Sequence, residues 1–244
     1  MPARDRLPLL QLVPNLVTIL GMCAGLSAIR FTFDERFELA AALIIFAAVM
    51  DGFDGMLARK LNAASSFGAE LDSFADFVSF GVAPGILVFG YALAGPFAGV
   101  GWIFVLIFAV CACLRLARFN ISRSTPDGAA SRHFVGVPAP AGAMLGLLPV
   151  FLGLSGLVDP SHAPVLVALY LAGIGLLMVS RLPTPSLKAV RIARENAIWV
   201  LIGMTGFVGL LFLRSWLIFV IADLLYLAVL AWLALRQKRP GRAV

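Results

Sequence analysis

Residues 51–76 read DGFDGMLARKLNAASSFGAELDSFAD, which places four carboxylates within 26 positions between long apolar runs. Asp51 and Asp54 are three residues apart and Asp72 and Asp76 are four apart, so each pair lies on one face of its own helix. Each ionised Asp at bilayer depth costs roughly 2.5–3.5 kcal/mol, so a cluster of four needs compensation. Two helices that present such pairs to each other form an all-oxygen pocket, which suits a hard divalent cation such as Mg²⁺ or Mn²⁺.

The composition indicates that these helices lie in a membrane. The chain has 244 residues, of which 61% are hydrophobic, and its mean hydropathy is +0.99, whereas soluble domains are about 45–50% apolar. The apolar runs are long enough to cross about 30 Å of hydrocarbon and lack the alternation of barrel strands. The sequence therefore predicts an all-α integral membrane protein with about eight transmembrane helices. The candidate spans are residues 12–29, 38–58, 70–93, 97–117, 139–157, 163–180, 197–213 and 216–235.

The distribution of basic residues predicts the topology. If the N-terminus is cytoplasmic, all but three of the 19 Lys and Arg residues lie on cytoplasmic segments, the exceptions being Arg30, Arg36 and Arg214. This bias follows the positive-inside rule for an even number of spans with both termini in the cytoplasm. The carboxylate pairs then lie at the cytoplasmic ends of the second and third helices. We expect a multi-pass protein of the cell's inner membrane with its site on the cytoplasmic side.

The chain leaves little room for a soluble domain, and we expect a single polytopic membrane domain over residues 1–244. Its catalytic core would cover about 12–181, and two further helices would cover about 197–235. Residues 1–10 are too polar and too short for a signal peptide and are expected to lie on the inner leaflet. The net charge of +6 is a topology signal; no basic run interleaved with aromatics indicates nucleic-acid binding. Three cysteines without a C-x-x-C pair give neither a disulfide framework nor a zinc site.

The carboxylate run has the pattern D-x-x-D-G-x-x-A-R, eight residues, G-x-x-x-D-x-x-x-D. It resembles the signature of the CDP-alcohol phosphotransferase family, and all eight fixed positions are present. Those enzymes displace CMP from a CDP-linked lipid with the hydroxyl group of a second substrate. The resemblance implies two divalent cations, Mg²⁺ or Mn²⁺, and a catalytic Asp76 that also accepts the proton of that hydroxyl. The implied metal ligands are Asp51, Asp54, Asp72 and Asp76.

The same resemblance implies a binding site for the lipid donor, CDP-diacylglycerol. Glycines in such a site leave room for a bulky ligand to approach the backbone. Simpler alternatives stay open: Asn15 and Thr18 could form a polar cap at a helix start, and Ser65 could be a polar turn residue. The implied donor-binding residues are Asn15, Thr18, Gly55, Ala58, Arg59, Ser65 and Gly68.

A second run, LRLARFN at 114–120 followed by GVPAP at 136–140, resembles the phosphatidylserine synthase branch of the family. The likeness covers roughly residues 12–145 and implies L-serine as the acceptor, with phosphatidylserine and CMP as products. The implied acceptor-binding residues are Arg115, Arg118 and Asn120, although the two arginines could equally be positive-inside flanking charges. We expect the fourth helix to end at this run and a cytoplasmic loop to extend to about Pro138.

The sequence is also compatible with other functions. A sibling enzyme could use choline, inositol phosphate or glycerol phosphate as its acceptor. An ion transporter could also use intramembrane carboxylates, but transporters more often place them at mid-membrane on broken helices within inverted repeats, and no internal repeat is present. We further expect a homodimer in the lipid bilayer and a third helix that loosens near Gly81 and Pro84. Asp223 is a lone carboxylate in the last span and receives no catalytic role.

Overall fold

The computed structural model describes residues 12–61, 65–124, 134–180, 183–184 and 216–235, and these are almost entirely helical. Within them, five helices are long and apolar enough to cross a membrane by length and composition, and Pro164–Val179 is a shorter apolar helix. The prediction of an all-α integral membrane protein is therefore confirmed. The helices are α1 Val13–Phe33, α2 Phe37–Lys60, α3 Ser66–Asp76, α4 Ala83–Val88, α5 Ala98–Ser124, α6 Ala139–Gly146, α7 Leu148–Leu154, α8 Pro164–Val179 and α9 Trp216–Leu235.

The number of spans stays a prediction, because the expected span at 197–213 and the expected interfacial segment at 1–10 lie outside the described residues. The candidate span over 139–157 is not one regular helix, since α6 ends at Gly146 and α7 begins at Leu148. Pro149 has no backbone N–H, so the carbonyl of Leu145 loses its helical donor four residues on. The hydroxyl of Tyr170 in α8 donates to that carbonyl at 2.7 Å instead.

The third membrane helix, Ser66–Leu93, is not regular along its length. It begins as α3, widens into a π-helix over Phe77–Val82, returns to the α form in α4 and widens again over Phe89–Leu93. The predicted loosening near Gly81 and Pro84 is confirmed. Each π-helical turn holds an extra residue, so the widened stretch changes the direction in which the following side chains point.

The fourth long helix, α5, continues past the predicted end and reaches Ser124. The run from Ile121 to Ser124 contains neither Gly nor Pro, and the first Pro beyond it is Pro126. The predicted acceptor residues therefore lie within a helix. Further along the chain, the strand β1 (Phe134–Val135) pairs antiparallel with β2 (Pro183–Thr184), which connects the chain before α6 to the chain after α8.

The buried core runs through the middle of the bundle and contains the fully buried side chains Phe108, Phe151 and Leu171. A smaller cluster of buried apolar residues, including Ala24, Ala47 and Phe80, lies next to the carboxylates. Helix α1 packs against both α2 and the third membrane helix. The two helices that bear the carboxylates are thus held on one shared scaffold.

Candidate functional site

Three of the four predicted metal ligands converge. Asp51 of α2 and Asp72 and Asp76 of α3 each offer a carboxylate oxygen, and these three oxygens lie within 4.8 Å of one another. The carboxyl groups of Asp51 and Asp76 lie close enough to interact with each other. Two ionised carboxylates this close repel each other, so either a proton or a cation must lie between them. The all-oxygen set fits a hard divalent cation.

Asp54 lies beside this trio. Its side chain is only 6% exposed, and its Oδ2 accepts a hydrogen bond of 2.6 Å from Thr18 Oγ1 of α1. All four carboxylates line one narrow cavity with a volume of about 10 Å³. The structure therefore brings the four predicted ligands to a single cavity, with Asp54 oriented by the neighbouring helix.

An open cleft with a volume of about 170 Å³ adjoins the carboxylate cavity. Thr18, Asp54 and Asp72 line both spaces, so a ligand in the cleft would lie beside two of the four carboxylates. The seven residues that the family resemblance implied for donor binding all line this cleft; they are Asn15, Thr18, Gly55, Ala58, Arg59, Ser65 and Gly68.

The two glycines of the motif serve different purposes in the structure. A Cβ added at Gly55 would meet Arg59 Nη1 at 3.6 Å, an ordinary contact, so the space above Gly55 belongs to the cleft. A Cβ added at Gly68 would lie 2.8 Å from Asn15 Oδ1 and 3.1 Å from Ser65 Oγ. Gly55 therefore leaves room for a ligand, whereas Gly68 allows α1 to approach the start of α3.

The polar residues near the starts of α1 and α3 differ in whether they cap a helix. Helix α1 begins at Val13 after Leu12, which makes no side-chain cap, so the idea that Asn15 caps this helix is wrong. Ser65 does act as a cap, because its Oγ accepts a hydrogen bond of 3.0 Å from the backbone N–H of Gly68. Ser65 also lines the cleft, and its cap orients the first turn of α3 toward that space.

The three predicted acceptor residues make three different contacts. Arg115 is near enough to Asp51 and Asp76 to interact electrostatically with both, and its guanidinium lies 5.7 Å from the centre of the Phe119 ring. Arg118 Nη1 donates to the carbonyl of Val179 at the end of α8, at 2.9 Å. Their role in acceptor binding stays a prediction, and the geometry favours Arg115 because its charge lies near the carboxylates of Asp51 and Asp76.

Asn120 bridges two helices through a residue that sequence reasoning missed. Its Nδ2 donates to Ser73 Oγ at 2.9 Å, and Ser73 Oγ can in turn donate to the carbonyl of Ala69 at 2.9 Å. Ser73 lies between Asp72 and Asp76 in the chain, so this bridge ties the carboxylate-bearing α3 to α5. The sequence feature that could have indicated this role of Ser73 is a hydroxyl side chain inside the carboxylate run, but such side chains are common in helices.

The chain belongs to the CDP-alcohol phosphatidyltransferase family, whose family model matches residues 11–179. It is similar to the CDP-diacylglycerol–serine O-phosphatidyltransferase of Mycobacterium leprae, with 36% identity over 93% of this chain and 75% of the relative. The enzyme of that name from Helicobacter pylori is 34% identical over 94% of both chains. The one from Bacillus subtilis is 37% identical over 75% of this chain and 94% of the relative. The family match spans α1 to α8 and so includes every element of the site.

Proposed function

We propose that this protein transfers the phosphatidyl group of CDP-diacylglycerol to the hydroxyl group of L-serine, giving phosphatidylserine and CMP. One observation carries the proposal: the cleft lined by the donor-binding residues of the family motif shares Thr18, Asp54 and Asp72 with the cavity of the four carboxylates. A donor in the cleft would present its diphosphate to Asp54 and Asp72. The activity named for the relatives supports serine as the acceptor.

The carboxylates are the proposed ligands of two divalent cations, Mg²⁺ or Mn²⁺. Asp51, Asp72 and Asp76 form an all-oxygen group of suitable size, and Asp54 completes the set at the side that faces the cleft. When bound, such cations neutralise the charge of the diphosphate and stabilise the departing oxygen of CMP.

The remaining residues orient the substrates and move a proton. Arg59 lines the cleft one turn from Gly55 and holds a phosphate oxygen of the donor. Asp76 accepts the proton of the serine hydroxyl, which is a weak nucleophile until a base is near it. A bond forms between the serine oxygen and the lipid-side phosphorus while the bond from that phosphorus to the CMP oxygen breaks.

Arg115 is the proposed contact for the carboxylate of serine. Its charge lies beside Asp76, so a serine held by this guanidinium would have its hydroxyl next to the proposed base. A guanidinium can bind a carboxylate through two parallel hydrogen bonds, which fixes orientation as well as position. Arg118 and Asn120 remain candidates for the same pocket, but their observed contacts to Val179 and Ser73 suit them to holding α8 and α3 in place.

The protein is a multi-pass membrane protein, and we assign its site to the cytoplasmic face of the inner membrane and its active form to a homodimer. Cysteine labelling tests the orientation in a variant without the three native cysteines. A cysteine at Asn62 should react only with reagents that reach the cytoplasmic face, and one at Pro96 only with reagents outside. The reverse pattern would contradict the proposed topology.

The central experiment incubates the detergent-solubilised protein with CDP-diacylglycerol, serine and Mn²⁺ or Mg²⁺, and identifies the lipid that forms. Phosphatidylserine and CMP should appear in equal amounts, and chelation of the metal should stop both. Ethanolamine, choline, inositol phosphate and glycerol phosphate serve as competing acceptors in parallel reactions. If any of them is used as readily as serine, the acceptor assignment fails and only the family reaction remains.

A further inference from the structure

Helix α1 contacts both carboxylate-bearing helices through two glycines on its buried face. A Cβ added at Gly21 would lie 3.4 Å from Met50 Cβ, directly before Asp51 of α2. A Cβ added at Gly25 would lie 2.9 Å from the backbone Cα of Ser79 and would also overlap the Ser79 hydroxyl. Real Cβ atoms do not approach a backbone that closely, so the third membrane helix lies against α1 at a point where only glycine fits.

Ser79 is the residue of the third membrane helix at this point of contact. It is 2% exposed, it lines the carboxylate cavity, and its Oγ donates to the carbonyl of Gly21 at 3.3 Å. It lies three residues after Asp76, within the π-helical stretch Phe77–Val82. A widened turn can shift or rotate relative to its neighbours, so a fixed contact inside it determines where the preceding residues are held.

We infer that Ser79 is a positioning residue that holds Asp76 at the correct distance from Asp51. Its hydroxyl fastens the widened stretch to Gly21, and Gly25 lets the two backbones come close enough for that bond. Because Gly21 also packs against α2 next to Asp51, one short segment of α1 sets the positions of both carboxylates. The inference rests on the proposed function in one respect, since it takes the carboxylates to be a divalent-cation site.

The test measures Mn²⁺ affinity directly, from the electron paramagnetic resonance signal of free Mn²⁺, on full-length protein in detergent without substrate. Ser79→Ala should weaken Mn²⁺ binding by about tenfold, as loss of a residue that orients metal ligands commonly does. Its unfolding temperature in metal-free buffer should stay close to that of the wild type. Ser79→Thr, which keeps the hydroxyl, should bind Mn²⁺ more tightly than Ser79→Ala.

Gly25→Ala should weaken Mn²⁺ binding more than Ser79→Ala, because the added methyl group forces the helices apart. The matched control is Gly173→Ala in α8, where an added Cβ has no atom within 4 Å, and it should bind Mn²⁺ like the wild type. If Gly25→Ala does not fold, Ser79→Ala alone decides.

The inference is overturned if Ser79→Ala binds Mn²⁺ with unchanged affinity, or if the wild type does not bind Mn²⁺ at all. A failure of the proposed function looks different. In that case the wild type would bind Mn²⁺, the Ser79 variants would bind it more weakly, and no phosphatidylserine would form from CDP-diacylglycerol and serine.

Discussion

Asp54 and Asp223 are equally buried, each with 6% of its surface exposed, but they lie in different parts of the molecule. Asp54 in α2 accepts a hydrogen bond from Thr18 and shares its cavity with three more carboxylates. Asp223 lies in α9, outside the family match, and its Oδ2 has no hydrogen-bond partner among the described residues. Its polar neighbour is Tyr170, whose hydroxyl already donates to Leu145.

The difference shows that burial of a charge-bearing residue does not by itself mark a functional site. Both residues carry the cost of removing a carboxyl group from water. Asp54 shares its cavity with three further carboxylates and also lines the cleft, whereas no comparable carboxylate cluster includes Asp223 among the described residues. The convergence of several polar groups distinguishes the site of Asp54 from that of Asp223. Substitutions at each of the two sites test this contrast.

The largest effect is expected for Asp76→Asn. The amide preserves the shape of the side chain but cannot accept the serine proton, so turnover should fall by about 10²–10⁴-fold. Binding of CDP-diacylglycerol, measured by metal-dependent titration, should be largely retained. The matched substitution Asp223→Asn should leave turnover near that of the wild type. Wild-type turnover in Asp76→Asn would contradict the assignment of the base.

Removing a predicted metal ligand should have a different signature. Asp72→Ala deletes a carboxylate that lines both the cavity and the cleft, so it should weaken Mn²⁺ binding and metal-dependent donor binding together, each by about 10–100-fold. Asp51→Ala should behave in the same way. Normal donor affinity in either variant would show that the carboxylates do not act through a cation.

The next largest effect separates the two arginines of α5. Arg115→Ala should raise the KM for serine by about tenfold or more, because a hydrogen bond to a charged group contributes roughly 1.5–3 kcal/mol. The KM for CDP-diacylglycerol should change much less. Arg118→Ala should instead lower the unfolding temperature by removing the bond to Val179. If Arg118→Ala raises the KM for serine and Arg115→Ala does not, the acceptor pocket lies at Arg118.

A smaller effect is expected at the two glycines of the cleft. Gly55→Ala places a methyl group where the structure has room for it, so the protein should fold normally while the KM for CDP-diacylglycerol rises. Gly68→Ala pushes against Asn15 and Ser65, so its unfolding temperature should fall as well. The prediction fails if both variants lower the unfolding temperature equally, because Gly55 would then be required for packing, like Gly68, and not for leaving room for the donor.

The smallest effect is expected for Asp223→Leu. Oδ2 of Asp223 has no hydrogen-bond partner among the described residues, so replacing this buried carboxyl group with an apolar side chain of similar size should be neutral or should stabilise the protein by about 1–3 kcal/mol. Thermal unfolding in detergent and the rate of lipid transfer would be measured together. A large loss of transfer in Asp223→Leu would mean that α9 has a part in the reaction.

Much of the fold and site could be predicted because the relevant signals are local. Long apolar runs define helices in a membrane, and the spacing of Asp51 and Asp54 fixes which side chains share a face. The break at Leu147 was missed although Pro149 indicated it, since hydropathy alone does not register a missing backbone donor. The separate contacts of Arg115 and Arg118 were not predictable, because a spacing of three residues places both on one face without showing which neighbour each reaches.

The exposed apolar side chains next to the cleft have a consequence for how the protein binds its substrate. Leu16 and Phe53 are highly exposed, and each is adjacent in sequence to a residue that lines the cleft. Exposed apolar side chains suit contact with lipid, and a donor whose acyl chains stay among the neighbouring lipids would place only its nucleotide end in the cleft. In that case the rate depends on the donor's mole fraction in the leaflet rather than on its amount per volume of solution. Diluting CDP-diacylglycerol with inert lipid should then slow transfer even when its total concentration is constant.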